Sequence, residues 1–151
     1  MKILVVCLGN ICRSPAAEAI LAHLFEKEGS HNVVVDSCGL GAWHVGRPPD
    51  MRMQEAARKR GYQLSKRARM LSDEDFEDFD FIFAVDQMIF DELHERAKGV
   101  DQKGKIHLLT EYSACFQGES VPDPYQGRFF EFEHVLDILE ESCRGIVDKY
   151  K

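Results

Sequence analysis

The segment KILVVCLGNICRSP, residues 2–15, predicts a buried strand, a tight loop and the start of a helix. The run from Lys2 to Val6 is almost wholly apolar and contains two valines, which is typical of a strand buried on both faces. From Ser14-Pro15 onward, apolar residues recur at helical spacing, and Gly29 stands where a helix end is expected. The chain therefore opens with a strand, a loop and a helix; the loop, residues 7–13, is called the first loop below.

The same alternation continues along the chain. Further strands are predicted at 33–36, 81–85 and 106–109, and further helices at 50–60, 87–98 and 130–150. Alternating strands and helices imply an α/β fold: an open, doubly wound parallel sheet of about four strands with helices on both faces. No repeat or linker divides the chain, so we expect a single domain over residues 1–151. The long irregular stretch 111–128 is of a kind that is often functional.

Composition excludes several classes of protein. The net charge of −7 argues against binding to nucleic acid, and no apolar run is long enough to span a bilayer or to serve as a signal segment. Five cysteines form neither a disulfide framework nor a zinc pattern, so we expect free thiols in a cytoplasmic protein. We also expect no membrane insertion, no metal and no cofactor.

The charge is unevenly distributed. Between Arg47 and Arg69, eight basic residues face only Asp50 and Glu55, a net charge of +6 against −13 for the rest of the chain. Such a basic segment is either a solvated helix face or the border of a cleft that takes acidic substrates.

The first loop lies where α/β sheets bind ligands, beyond the carboxyl end of a strand and at a helix N-terminus. Its backbone N–H groups can converge into a nest that binds an oxyanion, and Gly9 and Asn10 tolerate the left-handed backbone that such a curl needs. Pro15 suits the first helical position. The sequence therefore predicts a phosphate-binding loop after the first strand.

Cys7 at the base of this nest is a candidate nucleophile, because the same amides stabilise its thiolate. Arg13 ends the loop with a planar fork that suits the oxygens of a phosphoryl group, and Ser14 is placed to donate a hydrogen bond to the sulfur. A lone intracellular cysteine is usually a small buried hydrophobe. Here Cys-x5-Arg-Ser follows a strand and opens a helix, and this context favours a catalytic role for Cys7. The phosphate-binding loop of nucleoside triphosphatases is excluded, because the motif Gly-x4-Gly-Lys-Ser/Thr is absent from the chain.

This segment resembles the signature of the low-molecular-weight protein tyrosine phosphatases, Val-Cys-x-Gly-Asn-x-Cys-Arg-Ser-Pro, at residues 6–15. The resemblance extends through Asp36-Ser37-Cys38-Gly39, residues 43–50 and Asp123-Pro124-Tyr125 to the C-terminal helix. It implies hydrolysis of protein phosphotyrosine and small aryl phosphates through a cysteinyl-phosphate intermediate, with a tyrosine-phosphorylated protein as substrate and inorganic phosphate as product.

The resemblance also implies residue roles. Cys7 would be the nucleophile, Arg13 the phosphate clamp, and Asp123 the general acid and then base, although Asp-Pro alone is more often a turn. Trp43 and Tyr125 would form walls around the substrate ring, unless Trp43 is a core aromatic. Phosphate would be bound by the loop residues Leu8, Gly9, Asn10, Ile11, Cys12 and Ser14, with Ser37 in support. Cys12 is also a candidate redox partner of Cys7.

Three positions depart from the usual pattern. Gln126 stands where many members have Tyr, and Lys66 where many have His; we expect both to alter peripheral recognition. Ile11 favours phosphotyrosine, because relatives that act on phosphoarginine resemble this pattern with Thr there. An arsenate reductase of the same fold is less well supported, because it needs relay cysteines and none lies between Cys38 and Cys115. A non-catalytic phosphate-binding module would not need both Cys7 and Asp123.

Overall fold

The computed structural model describes all 151 residues. In chain order the elements are β1 (Lys2–Cys7), α1 (Arg13–Lys27), β2 (Val34–Gly39), α2 (Met51–Lys59), α3 (Asp75–Asp78), β3 (Phe81–Ala84), α4 (Gln87–Arg96), α5 (Gly99–Lys103), β4 (Ile106–Leu108) and α6 (Phe129–Tyr150). No helix combines the length and apolar character that a membrane span requires.

The four strands form one parallel sheet in the order β2-β1-β3-β4. β1 is central, since Leu4 pairs with Asp36 on one side and with Ile82 on the other. The chain leaves β1 toward β2, then returns past β1 to β3 and β4, so right-handed crossovers place α1 and α4 on opposite faces. The predicted doubly wound parallel sheet is confirmed.

Burial of β1 explains why its sequence is apolar without alternation. The side chains of residues 3–6 are fully buried, because helices cover both faces of the sheet. They belong to one cluster of 41 buried hydrophobic residues, in which α1 packs against both β2 and α6. Cys7 is the last residue of β1, so the first loop lies at the carboxyl edge of the sheet, at the strand where the order reverses.

Helix ends follow the expected capping chemistry with one correction. The carboxylate of Asp50 accepts a hydrogen bond from the Arg52 amide at 2.8 Å and caps α2. Gly29, with φ of 75°, follows the end of α1 as predicted. α1 begins at Arg13, so Pro15 is the third helical residue and not the first; its missing N–H still falls among the donors that have no partner in a first turn.

The short helices α3 and α5 were not predicted, because four or five residues are too few to show a helical period. The helix expected over 87–98 ends at Arg96, and Gly99, expected to stop it, begins α5 with φ of 76°. β2 extends to Gly39, three residues beyond the predicted end, because residues 37–39 pair with residues 5–7 of β1.

Gly39 supports the first loop through close backbone contact. A Cβ at this position would lie 2.8 Å from the carbonyl oxygen of Leu8 and 3.0 Å from the amide nitrogen of Asn10. These are backbone atoms, so a side chain here must displace the loop itself.

We therefore expect Gly39→Ala to lower the free energy of unfolding by about 1–3 kcal/mol, as overpacking does, and to weaken binding of inorganic phosphate. Urea unfolding and phosphate titration measure the two effects. Gly104→Ala is the control, since its Cβ would meet only the carbonyl oxygens of Val100 at 3.3 Å and Asp101 at 3.6 Å, in the turn before β4. Equal phosphate affinity in Gly39→Ala and the unaltered protein would contradict a supporting role for the close contact.

Candidate active site

A cavity of about 190 Å³ lies at the carboxyl end of β1 and joins three segments of the chain. The first loop forms its base, residues 43–44 form one side, and residues 123–125 form the other. Its lining residues are Cys7, Leu8, Gly9, Ile11, Cys12, Arg13, Trp43, His44, Asp123 and Tyr125. The structure thus brings together every predicted site residue except Asn10, Ser14 and Ser37, which lie beneath the loop, and it adds His44.

The first loop turns its carbonyl groups outward. The carbonyl oxygens of Cys7, Leu8 and Ile11 accept hydrogen bonds from Leu40, Gly41 and Asp50 on neighbouring segments. The amides of Leu8, Gly9, Ile11 and Cys12, in contrast, donate to no protein acceptor. A ring of unpaired N–H groups beside the N-terminus of α1 is the arrangement that binds oxyanions.

Asn10 and Gly9 shape the loop in different ways. Asn10 adopts the predicted left-handed backbone with φ of 59°. Gly9 does not, so that expectation was wrong for Gly9; a Cβ there would lie 2.8 Å from Cδ2 of His44 and would have to displace that ring. The left-handed backbone therefore occurs at Asn10, whereas Gly9 is restricted by the space beside His44.

The Cys7 sulfur receives directed hydrogen bonds although the side chain is only 3% exposed. The Asn10 amide donates to Cys7 Sγ at 3.2 Å, and Ser14 Oγ lies 2.9 Å from the sulfur. The side-chain amide of Asn10 donates to Ser14 Oγ at 2.7 Å, so the serine keeps its own proton for another acceptor. The sulfur is nearer than the alternative, the Cys38 carbonyl at 3.4 Å, and the serine therefore donates to Cys7.

A second layer of hydrogen bonds lies behind the loop. Asn10 Nδ2 also donates to Ser37 Oγ at 3.0 Å, and Ser37 Oγ donates to Glu18 at 2.6 Å. Burial raises the pKa of Glu18, with the Ser37 hydrogen bond opposing that effect. Lys66 donates to the Ser37 carbonyl at 2.6 Å and pairs with Asp36, so it lies behind the loop. Its expected effect on peripheral recognition stays a prediction.

Arg13 is held by one edge of its guanidinium. Nη1 donates to Asp86 at 2.6 Å and to the Val121 carbonyl at 2.9 Å, while Nη2 lies 3.7 Å from Asp123 Oδ2. Sequence reasoning missed Asp86. Its signal was its place two residues after β3, the strand next to β1 in the sheet. There it also caps α4 by accepting from Ile89 N at 2.8 Å.

The segment Asp123-Pro124-Tyr125 carries a carboxylate and a ring to the mouth of the cavity. Asp123 Oδ1 accepts from the Tyr125 amide at 3.1 Å, so Asp123 also serves as the turn residue that Asp-Pro favours. Trp43 is 67% exposed, which excludes the core-aromatic interpretation, and Tyr125 is 41% exposed. His44 lies 5.7 Å from the Tyr125 ring and its Nδ1 is buried without a partner; its only sequence signal was its place beside Trp43.

Cys12 differs from Cys7 in its surroundings. Burial first, and then the negative charge of Asp50, raise the pKa of the Cys12 thiol, so it stays protonated. All five cysteines are free. No group of three or more His, Cys, Asp or Glu side chains is placed to share a metal ion.

Most positive side chains of the basic segment, residues 47–69, are paired with carboxylates of the same chain. Five of its eight cations pair with carboxylates: Arg52 with Asp50, Arg58 with Glu55, Arg60 with three acids of α6, Lys66 with Asp36, and Arg69 with Asp36 and Asp75. Arg47 and Arg67 remain on the side of the loop that carries Trp43, with Arg67 donating to the Gly46 carbonyl. Lys59 also has no ion pair, and its Nζ lies over the Phe129 ring. Any preference for acidic substrates is therefore expected from these three unpaired cations.

Three comparisons place this geometry among known proteins. A family model described as low molecular weight phosphotyrosine protein phosphatase matches residues 2–151. A putative low molecular weight protein-tyrosine-phosphatase of Synechocystis is 42% identical over 148 residues, which cover 97% of this chain and 94% of the relative.

Solved structures agree over the same span. The protein tyrosine phosphatase of Entamoeba histolytica superposes with a TM-score of 0.95 at 39% identity, covering 99% of this chain and 96% of that one. A Drosophila arginine phosphatase superposes with a TM-score of 0.93 at 39% identity, covering 100% and 98%. The chain therefore belongs to the low molecular weight phosphotyrosine protein phosphatase family.

Proposed function

We propose that the protein hydrolyses protein phosphotyrosine, and small aryl phosphates, through a cysteinyl-phosphate intermediate. The observation that carries the proposal is the placement of Cys7 at the base of a cavity ringed by unpaired amides, with the Asp123 carboxyl in the same cavity. Membership of a phosphatase family supports the same chemistry.

In the binding step, the phosphate group enters the first loop and its oxygens accept from the loop amides. Nη2 of Arg13 supplies positive charge, since Nη1 is held by Asp86 and the Val121 carbonyl. Because these donors are fixed before the substrate arrives, they need little reorganisation as charge develops on the phosphoryl oxygens. The planar fork suits the equatorial oxygens of the transition state.

In the first chemical step, the Cys7 thiolate attacks phosphorus and the bond to the aryl oxygen breaks. Asp123 gives its proton to that oxygen, so that a neutral phenol leaves in place of a phenolate. The sulfur carries the phosphoryl group, and the hydrogen bond from Ser14 is positioned to stabilise the thiolate before attack and after release.

In the second step, the ionised Asp123 removes a proton from water, and the resulting hydroxide attacks phosphorus. The sulfur–phosphorus bond breaks, Cys7 returns to the thiolate, and inorganic phosphate is the product. Asp123 is suited to both tasks because its carboxylate stands at the mouth of the cavity, near Arg13 but still accessible to solvent.

The shape of the cavity favours a flat aryl substrate. Trp43 and Tyr125 offer two exposed rings on its sides, and a phenyl ring between them gains apolar burial and stacking. Ile11 lines the base, which supports phosphotyrosine over phosphoarginine, the substrate class that the name of the Drosophila relative suggests for that protein. Assaying both phosphorylated peptides decides between them.

The substrate we propose is a tyrosine-phosphorylated protein, and the domain of residues 1–151 carries the whole reaction. The five free thiols fit a reducing compartment, which supports a cytoplasmic location. Arg47 and Arg67 would then meet acidic residues that flank the phosphotyrosine.

Cys7→Ser should abolish turnover while phosphate and vanadate still bind, because the loop amides and Arg13 remain. Arg13→Ala should lose both turnover and anion binding, since it removes the clamp charge. Steady-state hydrolysis and anion titration by intrinsic fluorescence measure the two properties. Substantial turnover by Cys7→Ser would refute the covalent mechanism.

Asp123→Ala should slow phosphorylation of the enzyme by a phosphotyrosine peptide about 10²- to 10⁴-fold, the usual loss of a general acid. An activated nitrophenyl phosphate should suffer far less in the same single-turnover measurement, since its leaving group needs no proton. Glu119→Ala, which removes another exposed carboxylate of the same irregular stretch, is the control. Equal slowing of both esters would leave Asp123 as a turn residue only.

Mild peroxide should inactivate the enzyme reversibly. Peroxide oxidises the Cys7 thiolate to a sulfenic acid, and the Cys12 thiol then displaces water from that sulfur to form a disulfide that a thiol reductant reopens. Recovery after reductant should be nearly complete in the unaltered protein and smaller in Cys12→Ser, with Cys115→Ser, which removes an exposed thiol, as the control. Equal recovery in all three proteins would exclude a protective role for Cys12.

A further inference from the structure

Arg52, near the start of α2, contacts the segment that carries the proposed general acid. Its Nη2 donates to the Tyr125 carbonyl at 2.8 Å, and its Nη1 donates to the Gly127 carbonyl at 3.3 Å. The guanidinium also lies over two rings, with its Cζ 4.6 Å from the centre of Phe132 and 5.8 Å from that of Tyr125. One side chain of α2 thus binds the acid segment by two carbonyls and one ring.

Few other contacts hold this segment. Within residues 122–127 the remaining hydrogen bonds are local, from the Tyr125 amide to Asp123 and from the Gly127 amide to the Pro124 carbonyl. The ion pair between Asp123 and Arg13 is long, at 3.7 Å. Arg52 therefore makes the only hydrogen bonds between this segment and another part of the chain.

The same arginine is tied to the first loop. Asp50 binds it with both carboxylate oxygens, at 3.1 and 2.8 Å, and the Asp50 amide donates to the Ile11 carbonyl at 2.8 Å. Although burial opposes ionisation, the hydrogen bonds from Arg52 lower the pKa of Asp50, so the pair stays charged. A continuous path thus runs from the first loop through Asp50 and Arg52 to the acid segment.

We propose that Arg52 is a positioning residue that sets the place of the Asp123 carboxyl relative to the Cys7 sulfur. It touches no reacting atom and acts through the backbone of residues 125–127. The proposal rests on the proposed role of Asp123 as general acid. Its physical basis is the steep dependence of proton transfer on geometry, since a shift of about 1 Å can cost on the order of 10²-fold in rate.

The guanidinium is the group that this position needs. Its fork reaches the Asp50 carboxylate and two carbonyls at once, while an ammonium is a point donor that cannot span them. Arg52→Lys should therefore keep the charge and lose most of the positioning. Arg52→Met keeps an unbranched apolar side chain at this position and loses both the charge and the positioning.

The test compares single-turnover phosphorylation by a phosphotyrosine peptide and by an activated nitrophenyl phosphate. Arg52→Met should slow the peptide reaction about 10- to 100-fold and the activated ester less than 3-fold, with Arg52→Lys between Arg52→Met and the unaltered protein. Affinity for vanadate should stay unchanged, because the loop amides and Arg13 are not touched. Arg58→Met is the matched control, since Arg58 lies on the same helix and pairs only with Glu55.

The double variant Arg52→Met/Asp123→Ala separates positioning from general loss of structure. If Arg52 acts through Asp123, removing it costs nothing further once the carboxyl is gone, so the double variant should match Asp123→Ala. The proposal would be overturned if Arg52→Met still slowed the reaction when Asp123 is already alanine. It would also be overturned if Arg52→Met slowed both esters equally or slowed neither. If Asp123→Ala itself shows no dependence on the leaving group, the general-acid assignment fails first, and the role of Arg52 fails with it.

Discussion

The hydrogen bonds of Asn10 are the constraint on which the rest of the site depends. Its backbone is left-handed, which costs an L-residue about 1–2 kcal/mol, and its side chain and amide make four hydrogen bonds within the fold. They join the first loop to Ser14 at the start of α1, to Ser37 of β2 and to the amide of Arg69. Each buried bond is worth about 0.5–1.5 kcal/mol net, so together they offset the backbone strain.

Arg13 shows how the sheet order serves the chemistry. Its guanidinium is almost fully buried and is held by Asp86, which lies just beyond the carboxyl end of β3. β3 neighbours β1 because the order of the strands reverses at β1. A buried cation needs a paired carboxylate, and here that carboxylate also caps α4. The guanidinium that we propose as the phosphate clamp is therefore oriented from two neighbouring strands.

The features that could be predicted from the sequence are those whose residues lie close together along the chain. β1 and the first loop lie within fourteen consecutive residues, and a buried strand followed by Cys-x5-Arg-Ser is visible there without any knowledge of distant contacts. Asp86 and Arg52 were missed because each acts on a partner more than seventy positions away. The contact of Lys66 with Ser37 was not visible in the sequence either, because it depends on how β2 meets the segment before Met70. α3 and α5 were missed because they are too short to show a helical period.

The unpaired amides of the first loop couple the fold to its own product. Four N–H groups of the loop have no acceptor within the protein, and an anion bound by the nest, as proposed, binds them only in the folded state. By mass action, phosphate at a hundred times its dissociation constant adds about 2.7 kcal/mol to the free energy of unfolding. The persistence of the folded enzyme is thus linked to the concentration of free phosphate, so a loop built for catalysis also makes the molecule's lifetime respond to its surroundings.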